Sequence, residues 1–95
     1  MAKPDPLTRR YVSFHGLVQG VGFRWFAKET ADALGLSGWV RNKGDGTVEL
    51  EAEGTAAALD ELVRRLKDGH PAARVDAVAE APRAPEGSRG FEIRR

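Results

Sequence analysis

A strand, a glycine-rich loop and a helix follow one another in the segment YVSFHGLVQGVGFRWFAKETADALG, residues 11–35. Apolar and polar residues alternate over residues 11–15, with Val12 and Phe14 on one face, which predicts a half-buried strand. Three glycines interrupt this pattern before a helical apolar stripe begins. The stripe predicts a helix over about residues 23–34 that stops at a glycine. Its apolar side is formed by Phe23, Phe26, Ala27, Thr30, Ala31 and Leu34.

The rest of the chain predicts four strands and one helix. A strand over residues 37–43, a Gly-Asp-Gly turn and a strictly alternating strand over residues 47–53 form a hairpin, and the glutamates of that strand are expected to keep its outer face in water. An amphipathic helix, a weaker strand, a proline-containing loop and a short closing strand follow. The glutamates of the alternating strand are Glu49, Glu51 and Glu53. The helix begins after Thr55 as its cap, and its apolar side is formed by Leu59, Leu62, Val63 and Leu66. The weaker strand spans residues 75–80, the loop 81–87 and the closing strand 91–94.

The resulting order, β-α-β-β-α-β plus one short strand, predicts an α+β fold with a mixed sheet and both helices on one face. Two right-handed crossovers make the first two strands parallel and set the third between them, antiparallel to both. The first strand ends near Gly16 and the second near Asn42, so both ends lie at the same edge of the sheet. At ordinary strand spacing they are about 10 Å apart, which leaves room for a phosphate-sized group.

The composition limits the classes of protein to consider. One compact domain is expected for 95 residues, with residues 1–8 as a flexible lead-in and residues 9–95 as the folded domain. The absence of cysteine excludes disulfides and thiolate chemistry and favours a cytoplasmic location. A net charge of +1 gives no reason to expect a nucleic acid partner, and no apolar run is long enough to span a membrane. We expect a monomer.

The glycine-rich loop leads from a strand end into a helix start, where unpaired backbone N–H groups and the helix dipole favour an anion. Such a loop also occurs as a simple turn. Arg24 strengthens the anion interpretation, because a cation in the first helical turn opposes the dipole and no Asp or Glu occurs from Pro6 to Lys28. An oxyanion bound by Arg24 resolves this conflict. The alternative is an arginine that is exposed to solvent or paired with the distant glutamates.

Asn42 lies two residues after Val40 in the same strand, so both side chains are expected on the core-facing side of the sheet. A polar amide is therefore expected on that side where the strand ends. Its alternative role is to cap the following Gly-Asp-Gly turn, in which Asp45 is expected to be a turn residue. His15 and His70 have no metal-ligand spacing and are predicted to be structural. No metal site is therefore expected.

Two segments of the chain, GLVQGVGFR at residues 16–24 and GWVRNKGDGTV at residues 38–48, resemble the signature segments of the acylphosphatase family. Gly54 and the ending GFEIR at residues 90–94 are also similar to that family, so the resemblance covers about residues 9–95. It implies a ferredoxin-like sandwich, hydrolysis of small-molecule acyl phosphates, and no cofactor.

By position, the resemblance implies that Arg24 binds the substrate phosphate together with the loop amides and that Asn42 orients the attacking water. The implied phosphate-binding loop residues are Gln19, Gly20, Val21, Gly22, Phe23 and Arg24.

A carboxylate leaving group needs little protonation, so an enzyme of this kind can rely on positioning and electrostatic stabilisation. The alternative is a non-catalytic phosphate-binding or accessory module of the same fold, similar to the acylphosphatase-like domain of larger carbamoyl-transfer proteins. An RNA-binding module is disfavoured, because the third strand has glutamates where exposed aromatic and basic residues are needed.

Overall fold

A computed structural model describes residues 6–95, and most of the predicted lead-in, residues 1–5, lies outside the described residues. Strands and helices follow one another in the predicted order. The elements are β1 (Thr8–Leu17), α1 (Phe23–Ala33), β2 (Ser37–Asn42), β3 (Val48–Gly54), α2 (Ala56–Asp68), β4 (Arg74–Arg83) and β5 (Phe91–Arg94).

The five strands form one mixed sheet in the order β4-β1-β3-β2-β5. β3 lies between β1 and β2 and is antiparallel to both, while β5 is parallel to β2. Both helices pack on one face, which confirms the predicted ferredoxin-like α+β sandwich. Phe14 of β1 and Asn42 of β2 both pair with Val48 of β3, so the ends of β1 and β2 lie at the same edge of the sheet.

The core fills the space between the sheet and the helices, and the inward residues of the strands are those that the alternation predicts. Phe23 of α1 packs edge-on against Phe14 of β1, with 5.3 Å between ring centroids. The predicted cap of α2 is confirmed, because the Thr55 hydroxyl accepts a hydrogen bond of 3.2 Å from the Ala58 N–H. The largest fully buried side chains are Val12, Phe14, Val18, Phe23, Val40, Val48, Leu50, Leu59, Leu62 and Leu66.

β4 is longer than predicted. Residues 81–83, expected to lie in a loop, pair with β1 and extend the strand to Arg83. Pro82 is compatible with this pairing because β4 is an edge strand, where one side has no ladder bond to lose. The connection to β5 is therefore residues 84–90, which run from one edge strand to the other. It crosses the face of the sheet opposite the helices, because Glu86 and Gly87 bond to Glu53 on the outer side of β3.

The expectation that the β3 glutamates keep their face in water is wrong for two of them, because Glu49 and Glu53 are only 5% and 4% exposed. Arg9 covers this strand, with its Nε 2.7 Å from Glu51 and a terminal nitrogen 3.4 Å from Glu53. The Tyr11 hydroxyl donates a 2.8 Å hydrogen bond to Glu49. The alternation assigns these residues to the correct face, but periodicity cannot show that long polar side chains and residues 84–90 cover it.

Glu53 is the most completely bonded of these carboxylates. The backbone N–H groups of Glu86 and Gly87 donate to it at 2.6 and 2.9 Å. The Glu86 bond lowers the pKa of Glu53, burial opposes this effect, and Gly87 and Arg9 add to it. Because the folded pKa lies below the unfolded one, the charge of Glu53 stabilises the fold above the ordinary glutamate pKa, and this contribution is lost as the pH falls.

Glu53→Gln is therefore expected to reduce the free energy of unfolding at pH 7 by about 1–3 kcal/mol, because Arg9 and two N–H groups lose a charged acceptor. The difference from wild type should begin to shrink below the ordinary glutamate pKa, about 4.3, where the unfolded chain takes up a proton at this residue, and it should vanish only below the lowered pKa of the folded state. Urea unfolding at pH 7, 5, 4 and 3 measures both effects. Glu29→Gln, at an exposed carboxylate without an ion pair in residues 6–95, is the control. A difference that stays constant with pH would contradict this prediction.

Candidate functional site

The loop between β1 and α1 turns at two glycines. Gly20 and Gly22 have φ of 76° and 79°, in the left-handed region that residues with a Cβ rarely adopt. Gly22 is also the N-cap of α1 and has no side chain to bond the first N–H groups of the helix. Within residues 6–95, no protein acceptor pairs with the backbone N–H groups of residues 20–25. They are therefore available to an anion at the positive end of the helix dipole.

Arg24 lies half-buried in the first turn of α1, beside these N–H groups. Its guanidinium donates to the backbone carbonyl of Arg94 at 3.3 Å and forms no ion pair with a carboxylate of the described chain. The β3 glutamates lie on the other face of the sheet, where Arg9 and Arg41 pair with them. Arg24 is thus not paired with the distant glutamates, and its charge adds to the positive potential at the helix start.

Asn42 is the last residue of β2, and its side-chain oxygen is buried without a hydrogen-bond partner. The turn that follows is capped by Asp45 instead, whose carboxylate accepts from the N–H and the hydroxyl of Thr47 at 3.0 and 2.6 Å. The alternative that Asn42 caps this turn is therefore wrong, and the turn role of Asp45 is confirmed. A buried acceptor without a donor costs about 1–3 kcal/mol, so Asn42 places an unsatisfied polar atom at this end of β2.

Gln19 joins the loop to the β2–β3 turn. Its side-chain NH₂ donates to the backbone carbonyls of Lys43 and Thr47, at 2.7 and 2.8 Å. These bonds hold the loop against the segment that follows Asn42 directly. The resemblance to acylphosphatases implies a role only for the backbone of Gln19. A polar side chain with two donors between apolar neighbours was the signal for a structural role, but the sequence does not show which carbonyls it reaches.

A cleft of about 100 Å³ lies between the loop, the start of α1 and the end of β2. It brings together Arg24 and Asn42, the two residues expected to bind phosphate and to orient water. Gln19 and Val21 of the predicted loop do not line it, because the Gln19 side chain bonds the turn and Val21 packs against the core. Trp25 lines it and was not predicted. The full lining is Val18, Gly20, Gly22, Phe23, Arg24, Trp25 and Asn42.

Neither histidine lines the cleft. His70 packs edge-on against Phe26, with 5.3 Å between ring centroids, and its Nδ1 accepts from the Ala72 N–H at 3.0 Å. His15 lies 3.3 Å from the Ser13 hydroxyl on the sheet. Residues 6–95 contain no group of three His, Cys, Asp or Glu side chains that could hold a metal ion. In the same part of the chain, neither helix has the length and apolar content required to cross a membrane.

The geometry agrees with comparisons to known proteins. The sequence model of the family described as Acylphosphatase matches residues 10–93. The chain belongs to the acylphosphatase family. It is 51% identical over 89 residues to the acylphosphatase of Trichormus variabilis, a match that covers 94% of this chain and 88% of that relative. The resemblance of the two sequence segments to acylphosphatases is confirmed, and with it the expectation of a hydrolytic enzyme.

Two solved structures have the same fold as this chain. The crystal structure of acylphosphatase from Bacillus subtilis matches with a TM-score of 0.86 and 41% identity, covering 95% of this chain and 100% of that one. The crystal structure of T. kodakarensis HypF matches with a TM-score of 0.82 and 30% identity, covering 93% of this chain but 12% of that one. The acylphosphatase fold therefore occurs as a small protein and as a small part of a much longer chain.

Gln19→Met tests the connection between the loop and the turn, because the methionine side chain has similar length but donates no hydrogen bond. We expect the free energy of unfolding to fall by about 1–3 kcal/mol, since two part-buried hydrogen bonds are lost. Each carbonyl keeps one backbone donor, Gly46 N–H for Lys43 and Lys43 N–H for Thr47. Inorganic phosphate should bind about tenfold more weakly, because the loop loses its fixed position. Urea unfolding and calorimetric titration with phosphate measure the two effects. Lys43→Ala, which keeps the accepting carbonyl, is the control for stability; unchanged stability and affinity in Gln19→Met would contradict the prediction.

Proposed function

We propose that the chain hydrolyses acyl phosphates by direct attack of a bound water on phosphorus. The observation that supports this is a single cleft lined by loop glycines with unpaired N–H groups, an arginine without a carboxylate partner in residues 6–95, and an asparagine oxygen without a donor. The N–H groups and the arginine are donors that a negatively charged phosphoryl group requires. The asparagine oxygen is an acceptor for a hydrogen bond from water.

The phosphoryl oxygens are bound by the Arg24 guanidinium and by backbone N–H groups of the predicted loop, residues 19–24. Within this loop, Gly20, Gly22, Phe23 and Arg24 line the cleft. The hydrogen bond from Arg24 to the carbonyl of Arg94 holds the guanidinium near the loop before substrate arrives. Donors that are already in place stabilise developing charge without a reorganisation cost during the reaction. The negative phosphoryl group also satisfies the positive end of the α1 dipole, which Arg24 by itself opposes.

Asn42 orients the water. Its amide does not take up a proton at neutral pH, so the proposed role is to accept a hydrogen bond from water through the unpaired oxygen and to direct a lone pair at phosphorus. The water oxygen forms a bond to phosphorus, and the bond from phosphorus to the acyl oxygen breaks. The leaving carboxylate takes the electron pair of that bond, and the water proton passes to solvent.

The chemistry explains why the cleft has no acid in it. Carboxylic acids have a pKa near 4, so the leaving group is stable as an anion at neutral pH and needs no proton. Within the described chain, no carboxylate or histidine lines the cleft. A carboxylate there would repel the phosphoryl group.

We also propose that the enzyme works without a metal ion, as a monomer, and in the cytoplasm. Residues 6–95 offer Arg24 and backbone dipoles in place of a cation, and they contain no cluster of three metal-ligating side chains. All residues of the cleft come from one chain, so a second copy is not required to build it. The absence of cysteine is typical of a protein that does not depend on disulfides.

A non-catalytic phosphate-binding or accessory module is the second candidate, favoured by the match of this fold to a small part of HypF. The two candidates share the phosphate site and differ in turnover. Hydrolysis of benzoyl phosphate by the purified chain in the presence of EDTA distinguishes them and tests the metal-free proposal at the same time.

Arg24→Gln and Asn42→Ala should separate phosphate binding from water orientation. Arg24 contacts phosphate in the substrate complex and in the transition state, so Arg24→Gln should raise the phosphate inhibition constant by about tenfold or more and lower kcat/KM further. Asn42→Ala should lower kcat by on the order of 100-fold with less than about a twofold change in phosphate inhibition.

Stability gives an independent measurement for Asn42→Ala. Removal of a buried oxygen without a donor should leave the free energy of unfolding equal to or above that of wild type. Arg41→Gln is the control for the kinetic measurement, because it removes a charge one residue away on the opposite face of β2. This variant should retain kcat. Full kcat in Asn42→Ala would contradict the water-orienting role, even if hydrolysis itself is observed.

A further inference from the structure

Trp25 is exposed although its neighbours in the sequence are not. The indole is 63% exposed in the first turn of α1, whereas Phe23 is buried and Phe26 packs against the core. A polar side chain would fit this helix position without leaving apolar surface in water, so core packing does not explain the choice of tryptophan.

The position of Trp25 relates it to the phosphate site. It lines the same cleft as Arg24 and Asn42. The other large apolar side chains with high exposure in the described chain are Leu7 and Leu17, and neither of them lines this cleft. The exposed indole therefore lies next to the proposed phosphate site.

The acyl group of an acyl phosphate stays close to the phosphate site, because its oxygen is bonded directly to phosphorus. The cleft at this site is small, about 100 Å³, and Trp25 forms part of its lining. The acyl group of a substrate bound through Arg24 therefore lies in this cleft or at its opening, where Trp25 offers an apolar surface.

We propose that Trp25 contacts the acyl group of the substrate and favours aromatic or extended apolar acyl groups over small ones. The inference rests on the proposed acyl phosphate hydrolysis and adds the class of acyl group. An indole ring stacks on an aromatic acyl group and buries apolar area against an alkyl chain. An acetyl group has too little apolar surface to gain from the same contact.

Kinetics with two substrates test this role, because benzoyl phosphate and acetyl phosphate share the phosphoryl group and differ only in the acyl group. Trp25→Ala should raise KM for benzoyl phosphate about tenfold and leave KM for acetyl phosphate and inhibition by inorganic phosphate unchanged. Trp25→Phe should keep most of the preference. Leu17→Ala, at an exposed apolar residue that does not line the cleft, should behave as wild type.

Fluorescence provides a readout that does not require turnover. The chain has two tryptophans, and Trp39 lies on the opposite face of the sheet with Arg41 and Arg94 within 5.6 and 5.1 Å of its ring. In Trp39→Phe the emission comes from Trp25 alone. Benzoylphosphonate, which water does not cleave, should change this emission and bind about tenfold more tightly than acetylphosphonate. Inorganic phosphate should change the emission much less.

The outcomes separate this inference from the proposed function. Normal turnover with equal affinity for both phosphonates, or with an unchanged substrate preference in Trp25→Ala, would overturn the role of Trp25 and leave the hydrolysis intact. No turnover of either substrate, together with tighter binding of benzoylphosphonate that Trp25→Ala abolishes, would overturn the hydrolysis and support Trp25 as the contact for the acyl group.

Discussion

The side chain of Gln19 donates two hydrogen bonds that hold together the two parts of the chain from which the cleft is built. One part is the loop with the start of α1, and the other is the end of β2, on the far side of β3 in the sheet. The register brings them to one edge, because Phe14 and Asn42 both pair with Val48. A misplacement of about 1 Å can cost on the order of 100-fold in rate, so the chemistry depends on this connection.

Polar groups on the outer face of the sheet are paired within the protein, whereas those at the cleft are not. On the outer face, Arg9 and Glu53 are buried and bonded to each other and to residues 86–88, which contributes to stability. At the cleft, Arg24 has only a carbonyl partner and the Asn42 oxygen has none within residues 6–95. Such groups reduce the stability of the free protein, and the phosphoryl group and water of the proposed reaction would satisfy them. The polar groups left unpaired by folding are therefore those that the proposed reaction uses.

Much of the fold could be predicted, because alternation, helical stripes and glycines are local signals that survive packing. The loop, Arg24 and Asn42 could also be singled out, since a cation at the positive end of a helix and a polar residue on the core side of a strand are visible in the sequence. Their roles in hydrolysis were implied only by the resemblance to acylphosphatases. The burial of Glu53 could not be predicted, because periodicity shows on which face of the sheet a residue lies but not which residues cover that face. The length of β4 was underestimated because a proline is allowed at a sheet edge, and edge position is a tertiary property. The carbonyl partners of Gln19 and the position of Trp25 at the cleft also depend on tertiary structure.

Hydrolysis of benzoyl phosphate in water enriched in ¹⁸O shows which atom of the substrate the water attacks. If the loop and Arg24 bind the phosphoryl group and Asn42 orients the water, as proposed, the new bond forms to phosphorus. We expect one ¹⁸O atom in the inorganic phosphate and none in the benzoate, measured by mass spectrometry of both products. Label in the benzoate would mean attack at the carbonyl carbon and would contradict the proposed arrangement of phosphate and water in the cleft.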